Sequence, residues 1–201
     1  ADSQITSDIL SGASAVLVDE AHLLSQEKLE YLLRYCGNRP VIFSSDYENM
    51  LSPEELDRAA VHALEQISGI QSFRLTNRIR TNAEISSFIQ NMMCLPERKK
   101  GRHFPHVTVL YANDDWEADV LLRDAQHQGY QEILNEAEPA ICAGRLAMVL
   151  DQRYFYDRQN YLRSEDRSVR RLFHQLNGAK EELLLVVKQN EPLYAVLLDL
   201  L

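Results

Sequence analysis

The chain has only three cysteines in 201 residues, Cys36, Cys94 and Cys142, widely spaced and with no Cys-x-x-Cys pair. An odd, scattered set excludes a disulfide framework and a cysteine zinc site, and it fits reduced thiols in the cytoplasm. No apolar run is long enough for a membrane span, so no membrane partner is expected, and the opening ADSQITSDILSG lacks the basic start of a secretory signal. Internal repeats and low-complexity tracts are absent. At 45% hydrophobic and 25% charged the composition is that of a globular protein, which excludes disorder and collagen. Basic side chains are in the minority: 21 Lys and Arg against 30 Asp and Glu give a net charge of −9. A field of that sign repels phosphate, so any nucleic-acid contact needs a local groove. No Ser-His-Asp or Cys-His arrangement can be read from the spacing. An initiator methionine is missing as well, and the chain is expected to have been processed or cut from something longer.

What is present alternates between strand and helix, the signature of an α/β protein with a largely parallel sheet. Ala15 to Val18 is a continuous apolar run that ends in Asp19 and Glu20. A helix comes next, with Leu29, Leu32, Leu33 and Cys36 on one face and Gly37 as its stop. Pro40 to Ser45 reads as a second strand. A capping box at Ser52 to Glu55 then opens a helix carrying Leu56, Ala60, Ala63, Leu64 and Ile67. Ser72 to Leu75 is a third strand. A second capping box, Thr81 to Glu84, precedes a helix with Ile85, Phe88, Ile89 and Met92 buried. The polar, basic stretch from Cys94 to His106 is the best linker candidate. Beyond it the sequence predicts a strand at Val107 to Tyr111 and a helix bearing Ala118, Leu121, Leu122 and Ala125 that Gly129 stops. After these come a short strand through Ile133 and another at Leu146 to Leu150. A helix with Val169, Leu172, Phe173 and Leu176, a strand at Leu183 to Val187 and a last helix with Leu193, Val196, Leu197 and Leu200 complete the pattern.

The strongest chemical signal is AVLVDEAHLL. Two adjacent carboxylates at the end of a parallel strand lie where α/β folds bind ligands, and in phosphoryl-transfer ATPases such a pair holds Mg²⁺ and orients the attacking water. Two solvated acids at a strand end are the plain alternative. His103 and His106 could form half a metal site, although a solvated linker is the simpler account of them. The same holds for the basic run Arg98, Lys99, Lys100 and Arg102. Tyr154, Phe155, Tyr156 and Tyr161 could stack on bases, but interleaved Asp151, Arg153, Asp157 and Arg158 leave no clear basic groove, and a structured loop is expected.

The order VLVDEAH, VIFSSDYENMLS, FRLTNRIRTNAEISSFI resembles the successive motifs of superfamily 1 helicase-like P-loop ATPases, in particular a bacterial group of helicase-like ATP-binding proteins. The first piece is similar to Walker B. The second resembles a strand ahead of D-x-x-Q-x-L, matched by Asp46, Asn49 and Leu51. The third resembles L-x-N-x-x-R-(S/T)-N, matched by Leu75, Asn77, Arg80, Thr81 and Asn82. The stretch from Val169 to Leu201 resembles the last helicase motif together with its succeeding strand and helix. The resemblance implies RecA-like parallel sheets flanked by helices: residues 1–80 from a first domain, 81–106 a connecting helix and linker, and 107–201 a second domain. It further implies Asp19 on Mg²⁺, Glu20 on the attacking water, Arg80 at the γ-phosphate, and Asp46 and Asn49 at the nucleotide. Mg-ATP is the family's cofactor and single-stranded nucleic acid its partner.

Three departures stand out. No G-x-x-x-x-G-K-[ST] occurs; the only Gly-Ala-Lys, Gly178 to Lys180, falls between a helix and a strand. Where the family has L-T-R-A this chain has Leu176, Asn177, Gly178 and Ala179, so a glycine replaces the arginine. Ala140 to Gly144, AICAG, stands where a G-Q-E-F-D element is expected. The chain alone is therefore expected neither to bind nucleotide tightly nor to hydrolyse ATP. Two readings stay open: the C-terminal region of a helicase-like ATPase, or a degenerate module that keeps the fold as a protein-interaction surface, with a partner covering the incomplete first lobe.

Overall fold

The computed structural model describes residues 13–45, 51, 64, 66, 73, 82–98, 103–133, 141–166 and 168–201. The chain divides into two compact units, Ala1–Arg74 and Leu75–Leu201.

In the first unit, strand β1 (Val16–Val18) pairs in parallel with β2 (Val41–Phe43), Val16 facing Val41 and Val18 facing Phe43. Parallel neighbours need a crossover, and helix α1 (Gln26–Cys36) supplies it. Ser25 caps that helix by accepting from the Lys28 N–H, and Gly37 ends it at φ 56°, a left-handed backbone that a side chain would strain. The pleat sorts the strands into two faces. Val16, Val18, Val41 and Phe43 pack on Leu32 and Cys36, with Ala21, Leu29 and Leu64 beside them. Leu17 and Ile42 point the other way and are 77% and 60% exposed. Leu64 and Gln66 are helical, as expected; the rest of the Ser52–Ile67 prediction lies outside the described residues. So does most of the third strand, of which only Phe73 is described, exposed and outside any strand.

The second unit is an α/β domain built on one four-stranded, all-parallel sheet. Helix α2 (Ala83–Met93) precedes β3 (Val107–Ala112), α3 (Asp115–His127), β4 (Gln131–Glu132) and β5 (Ala143–Leu150). A small antiparallel hairpin, β6 (Tyr154–Tyr156) and β7 (Leu162–Ser164), comes next, then α4 (Val169–Leu176), β8 (Ala179–Lys188) and α5 (Glu191–Leu200). The strand order is β3-β8-β5-β4. Ala118, Leu122 and Ala125 of α3 cover one face of the sheet over Ala112, Ala147, Leu184 and Val186. Leu183, Leu185 and Val187 alternate to the opposite face and are fully buried. Contacts of β8 with α2, α4 and α5 account for that burial. A central strand covered on both sides must be apolar throughout, hence the run LLLVV.

Three expectations are corrected. The cap of α2 is Asn82, whose side chain accepts from the Glu84 N–H at 2.8 Å, rather than a capping box begun by Thr81. The described parts of the stretch from Cys94 to His106, residues 94–98 and 103–106, are more than a solvated linker: Cys94 and Phe104 are buried, and the Phe104 ring meets Phe88 edge-on at 5.5 Å. The Phe104 ring packs it against α2. The aromatic cluster, expected as a structured loop packed on the second domain, does pack on the second unit, but as the β6–β7 hairpin, tied to α2 by a hydrogen bond from the Tyr156 hydroxyl to the Met92 carbonyl at 2.8 Å.

Candidate functional site

Asp19 and Glu20 come directly after β1, so the strand delivers both to the carboxyl edge of the β1–β2 pair. Ser44, the residue after β2, meets them there. Its hydroxyl donates to Asp19 Oδ1 and accepts from the Glu20 N–H at 3.3 Å. Its carbonyl accepts from the Ala21 N–H at 2.8 Å, and its own N–H donates to the Val18 carbonyl at 2.9 Å. One residue at the end of β2 thus holds the chain from Val18 to Ala21.

Glu20 turns the chain out of the strand. Its backbone is left-handed, φ 53° and ψ 42°, a conformation that costs a residue with a side chain about 1–3 kcal/mol and that clusters at functional sites. The bonds from Ser44, and the Glu20 N–H donated to Asp19 Oδ1 at 3.1 Å, offset that cost. The 3-10 turn Ala21–Leu23 comes next and places His22 in the interior, with no exposed side-chain surface. Its Nε2 lies 3.2 Å from Glu20 Oε2, while the Glu20 side chain as a whole is 36% exposed. The outcome is an exposed carboxylate, Asp19, held by a hydroxyl, beside a half-buried one, Glu20, that touches a buried imidazole.

Of the other residues singled out from the sequence, Asp46, Asn49 and Arg80 lie outside the described residues. Asn82 is spent on capping α2. His106 lies 3.7 Å from Glu84, and among the described residues no three metal-ligating side chains converge. Gly178 closes the turn from α4 to β8, and a Cβ there would collide with the Ile141 carbonyl oxygen. The Ile141 backbone fills the place a side chain at position 178 would take. Sequence reasoning does not single out Ser44 as a site residue, although it stands in the PVIFSS strand; its one signal is a hydroxyl just past an apolar strand.

A second constellation occupies the carboxyl edge of the four-stranded sheet. A cavity of about 200 Å³ there is lined by Asp115, Asp119, Glu132, Asp151, Arg153 and Lys188, among others. The Arg153 Nε donates to both Asp151 oxygens at 2.9 Å, and Lys188 donates to Asp115. Each cation is already held by a carboxylate, and the lining is net acidic, so the cavity offers little to a phosphate.

No family model matches the chain, and no curated protein matches it. The fold and the two sheet edges define an α/β protein with parallel strands flanked by helices; among the described residues no helix is long and apolar enough to cross a membrane.

Proposed function

We propose that the chain is the C-terminal region of a superfamily 1 helicase-like ATP-binding protein, the first unit coming from one RecA-like domain and the second forming another. The observation that carries this reading is the adjacent pair Asp19 and Glu20 at the carboxyl edge of a parallel strand–helix–strand unit, with Asp19 tied to Ser44 on the neighbouring strand. Those residues fit the metal end of a phosphoryl-transfer site: Asp19, exposed, would hold Mg²⁺, and Glu20 would accept a proton from water. Mg-ATP would supply the transferable phosphoryl group. The phosphate end does not fit among the described residues. Gly178 closes the turn into β8, and Ala179 and Lys180 begin that strand rather than a loop of free amides, so no step is routed through the nucleotide.

The second reading, a degenerate RecA-like module that serves as an interaction surface, draws on Gly178. With the Ile141 carbonyl against it, an arginine finger has no room, and such a finger contributes several orders of magnitude in rate. Both readings expect no turnover by the 201-residue chain. ATP binding and hydrolysis with Mg²⁺ and single-stranded DNA test this. Robust turnover that Glu20→Gln abolishes would overturn that expectation and sink the degenerate reading.

A further inference from the structure

We propose that His22 is a positioning residue for Glu20: its buried imidazole, in ion-pair range of the carboxylate, confines the Glu20 side chain at the sheet edge. The proposal rests on the ATPase reading only in naming Glu20 as the carboxylate that meets water.

Three observations converge on it. The imidazole has no exposed side-chain surface, and its Nε2 sits 3.2 Å from Glu20 Oε2, an oxygen that is itself buried although the side chain is 36% exposed. The left-handed backbone at Glu20 sets the direction in which its side chain leaves the strand, and Ser44 holds that backbone from the neighbouring strand. The imidazole cannot wander either, because the turn that carries it is closed by the Leu23 N–H to the Glu20 carbonyl at 2.9 Å and the Leu24 N–H to the Ala21 carbonyl at 3.1 Å. A long glutamate at a solvent-facing strand end would otherwise sample several rotamers, and ordering such a side chain costs about 1–2 kcal/mol of entropy. A buried imidazole nitrogen 3.2 Å from one carboxylate oxygen, within ion-pair range although neither atom completes a hydrogen bond, narrows those rotamers within the folded chain before any ligand arrives, which is what preorganisation of a site requires. The sequence places His22 two residues after Glu20, and only the turn brings the two side chains together.

The test is NMR of the full 201-residue chain, without nucleotide, tracking the Glu20 carboxyl carbon and the His22 ring nitrogens. His22→Leu keeps bulk and removes the imidazole nitrogen; the Glu20 carboxyl resonance is expected to leave its wild-type position and broaden. His22→Gln restores a side-chain nitrogen and should return the resonance towards wild type, a rescue that mere filling of space would not produce. A resonance unmoved in His22→Leu, or displaced there and not recovered in His22→Gln, overturns the proposal. Should His22→Leu fail to fold, Glu20→Ala decides from the other side, since it leaves the imidazole intact. A shifted His22 Nε2 resonance supports the contact, and an unchanged one overturns it. Nucleotide binding is measured separately, so its failure would count against the ATPase reading alone.

Discussion

Single residues in this chain are legible where their job is local and opaque where it is distant. The sequence locates the start of α2 but gives it to Thr81, one residue early; the cap is Asn82, whose side chain accepts from the Glu84 N–H two positions on. Gly178 is different: its lack of a side chain is required by Ile141, a residue on another segment. Gly178→Ala is expected to destabilise the second unit by about 1–3 kcal/mol in urea unfolding, and Gly178→Arg by more, with no gain of ATP turnover. Asp157 at the tip of the β6–β7 hairpin carries a pH signature. Burial pushes its carboxyl up, but N–H donors from Tyr161 and Gln159 and the Arg163 guanidinium outweigh burial and hold it below the ordinary value. A depressed carboxyl contributes stability that is complete above the unfolded value of about 3.9 and is lost as pH falls through the folded value. Asp157→Asn should therefore flatten the acid limb of stability below about pH 4 and leave its shape at neutral pH unchanged, as urea titrations across that range would show.

At the scale of elements, periodicity predicts most helices and strands, and capping decides where several begin. Helix α5 starts at Asn190, whose side-chain carbonyl oxygen accepts from the Leu193 N–H at 3.2 Å while its amide donates to the Asp151 and Tyr154 carbonyls at 2.9 and 2.8 Å. One buried side chain thus caps a helix and secures the root of the hairpin. Asn190→Ala is expected to cost about 2–4 kcal/mol, more than a cap alone, because two carbonyls lose their donor; thermal or urea unfolding measures it. The hairpin is the element that the sequence does not disclose. Its strands are three residues each, too short for an alternating pattern to register, and the hairpin docks on α2 through Tyr156. The β1–β2 pair shows the converse. Its apolar runs are clear in the sequence, yet one face of the pair, Leu17 and Ile42, stands exposed.

For the whole molecule, the two units differ in how well their sheets are covered. The four-stranded sheet is buried on both faces along β8, whereas among the described residues the first unit shows two paired strands with one face covered. Two-stranded sheets are marginal by themselves, and local stability tracks buried apolar contact. Hydrogen exchange is expected to be slowest at β8 and β5 amides and faster, by about ten-fold or more, at Val16–Val18 and Val41–Phe43. Equal protection in both sheets would contradict this ordering. The net charge of the chain is −9, and the cavity at the larger sheet's carboxyl edge shares that sign.

By itself the sequence determined the alternation of strand and helix, the apolar run of β8 and the delivery of Asp19 and Glu20 to a strand end, because each is written in spacings of a few residues. Only the tertiary structure decided that Ser44 would hold Asp19 across 25 positions, that His22 would turn inward to meet Glu20, and that Ile141 would close the space beside Gly178. Those outcomes depend on where separate segments of backbone come to lie against one another, and local periodicity carries no information about such contacts.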